Sequence, residues 1–60
     1  MELLHEIDRF LRASRMPATK FGRLAVSDPR LVHDLRLGRQ PGRRMTVRVR
    51  AFIQHHRATP

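Results

Sequence analysis

Cysteine is absent from this 60-residue chain, which rules out a disulfide framework and a thiolate metal site and suits a reducing interior. Long apolar runs are missing as well, since nothing approaches the roughly 20 consecutive apolar residues of a membrane span. The opening residues Met1 to Asp8 hold three acids, Glu2, Glu6 and Asp8, where a signal peptide would place a basic start. A cytoplasmic protein with no membrane partner is therefore expected. No segment alternates apolar and polar residues over the roughly four to eight positions of a half-buried strand, which points away from a sheet.

Catalytic machinery is lacking too. Asp8, Asp28 and Asp34 fall in separate helical segments with capping or surface roles, and no nucleophile, base and orienting group stand together. A chain this short hardly encloses a substrate. The expectation is a non-enzyme with no catalytic residue, no cofactor and no small-molecule effector. His33, His55 and His56 have no Cys or paired acid to complete a tetrahedral site, so no metal is expected. Phe10, Phe21 and Phe52 fall on inward faces of helical wheels, which argues against a single-strand stacking platform.

What the chain has in excess is positive charge. Thirteen basic residues against five acidic ones give a net charge of +8, which points to a polyanionic partner. Every one of these cations except Lys20 is arginine, whose planar fork suits phosphate and guanine edges. The distribution is uneven, because the acids stop at Asp34 and seven arginines follow it. A basic second half is suited to lie along an anion, while the early acids suit the positive end of a first helix.

Periodicity divides the chain into four helical pieces. Leu3, Leu4, Ile7, Phe10, Leu11 and Ser14 share one face, with His5, Arg9 and Arg12 opposite; Arg15, Met16 and Pro17 end this helix. A second helix is expected over Ala18 to Ala25, with Phe21, Leu24 and Ala25 inward and Lys20 and Arg23 outward, entered through Pro17 without a strong cap. Ser27, Asp28 and Pro29 start a third helix at Asp28 or Pro29 that stops at Gly38. In it Val32 and Leu35 point inward, while Arg30, His33, Asp34 and Leu37 face solvent or a ligand. Arg39 to Arg44 form a basic turn-rich connection. The last helix runs from about Met45 to Arg57, with Met45, Val49, Phe52, Ile53 and His56 inward. Arg48 and Arg50 diverge on its wheel, so at most one of them shares a surface with Arg43 and Arg44.

Between Phe21 and Gly38 the offsets are those of two short helices crossing steeply. Phe21 opens the segment, Gly22 supplies a residue small enough for close backbone approach, and Val26 stands at the bend. Val32 and Leu35 anchor the second helix, and Gly38 lies behind it. From Met16 to Ile53 the chain resembles a compact member of the Cro-like, phage-repressor-like helix-turn-helix family. Phe21-Gly22, Val26-Ser27, Val32, Leu35 and Gly38-Arg39 match that pattern in register. Val26, Ala18 and Leu31 depart from it, standing where the family commonly has a bend glycine, a phosphate-touching polar residue and a small hydroxyl.

With the four helical pieces read from periodicity, one helix fewer than the family pattern, the resemblance implies an all-α domain over residues 1–60 with its helix-turn-helix at about 18–38. It implies double-stranded DNA as partner, a transcriptional regulator of the repressor kind, and a location on the nucleoid. The helix from Pro29 to Leu37 would enter the major groove. Pro29, Arg30, His33, Asp34 and Leu37 are its base-reading candidates, and Lys20, Arg23, Arg39, Arg43 and Arg44 its phosphate candidates. The residues themselves agree for most of these roles: Arg30 suits guanine, Asp34 suits a cytosine amino group or an ion pair with Arg30, and Leu37 or Leu31 suits a thymine methyl. The family commonly forms two-fold dimers, and Val47 with Ala51, opposite the inward stripe of the last helix, suggests where a second copy would sit. Two other functions share these features, a sequence-tolerant architectural nucleoid protein and a protein-interaction module such as an antitoxin or phage accessory factor.

Overall fold

Helices only nine and six residues long, such as the second and third here, are too short to persist alone in water, so packing must supply their stability. In the computed structural model, which describes residues 2–58, the order is α1 (Leu3–Ser14), α2 (Ala18–Val26), α3 (Leu31–Arg36) and α4 (Arg43–Ala58). No strand occurs among the described residues. The all-α expectation with four helices holds.

All four helices feed one core. Leu3, Ile7 and Phe10 come from α1, Phe21 and Ala25 from α2, Leu31, Val32 and Leu35 from α3, and Val49 and Ile53 from α4. Burying each of the larger side chains contributes roughly 1.5–3 kcal/mol. Aromatic rings tie three helices together: the centroid of Phe10 lies 5.5 Å from that of Phe21 and 6.1 Å from that of Phe52, and Phe21 lies 5.4 Å from Phe52 at 81°. Such edge-on contacts are the favoured geometry for ring pairs. Among the described residues no charged or polar residue is buried, which leaves the excess cations on the surface.

Several local expectations are corrected. Leu24, read as inward, is 50% exposed. The buried face of α2 consists of Phe21, Gly22 and Ala25, and inclusion of Gly22 turns that face toward α3, leaving Leu24 about 100° from its centre. His56, read as part of the inward stripe, is exposed, although its ring packs edge-on against Phe10 at 5.2 Å and 88°. The last helix begins at Arg43, earlier than Met45, because the Gly42 carbonyl accepts both the Thr46 N–H at 2.9 Å and the Thr46 hydroxyl at 3.0 Å. α1 ends on Arg15 in the left-handed region, φ 58°, whose N–H reaches the Leu11 carbonyl at 2.8 Å; extended Pro17 then opens α2 with no side-chain cap, as read.

Candidate nucleic-acid interface

The approach of α2 to α3 is decided by one missing side chain. A Cβ on Gly22 would collide with the Asp28 carbonyl oxygen and stand 3.1 Å from the Leu31 Cβ, so only glycine lets the two segments meet. The reversal between them falls at Ser27, φ 59°, one residue after the bend position read from the sequence. Val26 stays helical because its β-branched side chain fits the left-handed region poorly. The Ser27 N–H satisfies the Arg23 carbonyl at 3.0 Å, and the Asp28 N–H reaches the Gly22 carbonyl at 3.1 Å.

Asp28 then builds a turn where the sequence suggested the helix would already have begun. Its Oδ1 accepts the Arg30 N–H at 3.0 Å, and its backbone carbonyl accepts the Leu31 N–H at 3.1 Å. Pro29 has no donor to place. The tight turn accommodates both residues, and regular α3 starts at Leu31 rather than at Asp28 or Pro29. The far end closes on Gly38, φ +104°. Gly38 N–H reaches the Leu35 carbonyl at 3.1 Å, and Arg39 N–H reaches the Asp34 carbonyl at 3.0 Å, the paired bonds of a Schellman motif.

These ends present α3 with one face buried and one face outward. Leu31, Val32 and Leu35 are 0%, 1% and 6% exposed. Leu31 therefore belongs to the core, which corrects its reading as a contact to a thymine methyl; its side chain fills the space beside Gly22. Outward, Arg30, His33 and Leu37 recur at helical spacing and are exposed, with Pro29 exposed beside them. Leu37 is 74% exposed.

Asp34, half-buried, does not pair with Arg30. Its Oδ2 accepts from Arg39 Nη1 at 3.3 Å, and the same Nη1 reaches Asp28 Oδ2 at 3.3 Å. The Schellman geometry brings the residue after the glycine against the residue three positions inside the helix end, where an apolar contact is usual; here an ion pair occupies that place. The spacing from Asp34 through Gly38 to Arg39 carried this signal in the sequence.

The phosphate candidates divide into two groups. Arg39 and Arg44 line an open cleft of about 450 Å³ together with Arg48, Val26, Asp28 and Met45. Of Arg48 and Arg50, Arg48 is thus the one that joins this surface. Lys20 and Arg23, on the outer side of α2, and Arg43, at the start of α4, are exposed but do not line the cleft. Arg50 is turned the other way, with its Nε and Nη2 on Glu6 Oε2 at 2.9 and 2.7 Å. Asp8 similarly holds Arg36 at 3.1 Å. The acids of α1 thus answer arginines of α3 and α4, long-range pairs with no local signature in the sequence. Comparison with protein-family models, curated proteins and solved structures finds no match to this chain.

Proposed function

We propose that the protein is a sequence-specific double-stranded DNA-binding regulator, a repressor, in which α2 and α3 form a helix-turn-helix and α3 enters the major groove. One observation carries the reading: α3, buried along one side, and the turn and cap residues at its two ends together display Pro29, Arg30, His33 and Leu37 outward, beside a cleft lined by three arginines. An exposed arginine at a helix entrance suits the paired acceptors of guanine, and flanking arginines suit phosphates. Among the described residues Lys20, Arg23, Arg30, Arg43, Arg44 and Arg48 stand in no ion pair, so their charge is available to a polyanion. The protein binds no metal or cofactor in this role and acts at the nucleoid.

Selection from a pool of random duplexes at stated salt, followed by competition with bulk duplex DNA, tests the proposal. A defined consensus supports it. Equal affinity for every duplex would replace it with the architectural reading, in which contacts go to phosphate and groove shape alone.

A second reading has its own observation. Leu24, Leu37 and Val47 are 50%, 74% and 61% exposed, and such side chains suit a protein-interaction module such as an antitoxin or phage accessory factor. That module would bind no duplex even at low salt. Val47, with exposed Ala51 one turn further along α4, is also where a homodimer of the regulator would form.

A further inference from the structure

Two acids accompany the outward face of α3, and their four carboxylate oxygens are not equivalent. Asp28 uses both of its oxygens internally, Oδ1 on the Arg30 N–H at 3.0 Å and Oδ2 on Arg39 Nη1 at 3.3 Å. Asp34 uses one, Oδ2, on that same Nη1 at 3.3 Å. Its Oδ1 accepts no hydrogen bond among the described residues, and the side chain is 31% exposed. A single guanidinium therefore bonds both carboxylates, and Asp34 Oδ1 is the one oxygen of the four without a partner among the described residues.

We propose that Arg39 is a specificity-positioning residue, which ties Asp28 and Asp34 together so that Asp34 Oδ1 is presented as a lone acceptor for the exocyclic amino group of a base, cytosine above all. This rests on the DNA-reading function proposed for α3. It reassigns Arg39 from phosphate contact to positioning. The electrostatic argument is direct. Two uncompensated carboxylates at a duplex surface would be repelled by the phosphates, whereas one shared cation screens both at short range. The hydrogen-bonding argument is independent of it. An acceptor-only group cannot recognise the N7 and O6 acceptors of guanine, but it matches the amino donor that cytosine shows in the major groove.

Magnitudes separate this role from a structural one. The three side chains are 31–42% exposed, and ion pairs at such positions add little to stability, so Arg39→Ala is expected to move the melting temperature by no more than about 5 °C. Discrimination at the base facing Asp34 is expected to fall roughly five- to a hundredfold.

The experiment is pooled duplex selection and salt-dependent binding with the intact chain and its Arg39→Ala, Arg39→Met, Asp34→Ala and Arg44→Ala variants. Arg39→Met keeps the aliphatic stem, so that loss of packing at this position is controlled. The expected result is that the Arg39 variants and Asp34→Ala lose preference at the same single base pair with an unchanged salt slope. Arg44→Ala keeps that preference and lowers the slope by about one. If the Arg39 variants keep the base preference and lower the slope by about one, Arg39 is a phosphate ligand and the proposal is overturned. If the unaltered chain itself selects no sequence, the DNA-reading function fails first, which is a distinct outcome.

Discussion

Gly22 and Asp28 meet so closely that the carbonyl oxygen of Asp28 occupies the space a Gly22 side chain would need. This contact sets how α3 lies against α2, and through it the direction in which Arg30 and His33 point. Backbone atoms cannot swing aside as a flexible side chain would, so the neighbour has no inexpensive way to yield.

Gly22→Leu is therefore expected to unfold the domain, and Gly22→Ala to cost at least about 1–3 kcal/mol as an overpacking change. In a domain of this size each kcal/mol corresponds to roughly 4–8 °C. Thermal melting followed by circular dichroism measures both. An unchanged melting temperature for Gly22→Ala would remove the steric account.

Ser27→Gly is expected to act in the opposite direction. Ser27 adopts φ 59° with an exposed side chain, a conformation that costs an L-residue about 1–2 kcal/mol and glycine almost nothing. Glycine returns part of this through its freer unfolded chain, leaving a net gain of about 0.5–1 kcal/mol. Gly38→Ala, at φ +104° with open space around it, is expected to lose about 1 kcal/mol through backbone strain alone. Denaturant midpoints of the two variants should move in opposite senses.

Phe21→Ala removes a fully buried ring that touches both Phe10 and Phe52. Such truncations cost about 3–5 kcal/mol, most or all of the stability a domain this small commands. Loss of the folded helical spectrum at 25 °C is expected; a cooperative melt near that of the unaltered chain would show that the aromatic cluster does not hold the helices together.

Arg30→Ala, Arg43→Ala and Arg50→Ala should separate three roles. The first is expected to change which bases are accepted, and the second to weaken all duplexes alike and reduce the salt slope by about one. Arg50, held against Glu6 on another side of α4, is expected to leave DNA affinity and salt slope unchanged. Filter or anisotropy titrations at several salt concentrations read all three. Identical behaviour of Arg30→Ala and Arg43→Ala would contradict the division into base and phosphate contacts.

The helices were legible because their signals are local. The inward stripe of α1, the entry at Pro17 and the closure at Gly38 each follow from periodicity or from one residue's backbone preference, and the structure keeps them. The extent of α3 was less legible. Asp28, Pro29 and Arg30 read as the first turn of a helix, but the Asp28 carboxylate competes for the Arg30 N–H and holds the segment in a tight turn. Leu24 and Leu31 were misplaced for a related reason. A wheel ranks faces within one helix, whereas the neighbour that buries Leu31 and bypasses Leu24 is another helix.

Composition and spacing alone determined that this chain is helical, strongly cationic and built around small residues at Gly22 and Gly38, because charge and backbone freedom belong to residues individually. Tertiary structure decided which arginines remain for a partner. Arg36 and Arg50 are drawn to Asp8 and Glu6, Arg39 is shared by Asp28 and Asp34, and Arg44 and Arg48 line a common cleft. The pairs of Arg36 and Arg50 link different helices, and an ion pair acts over a few ångströms of space with no regard to distance along the chain.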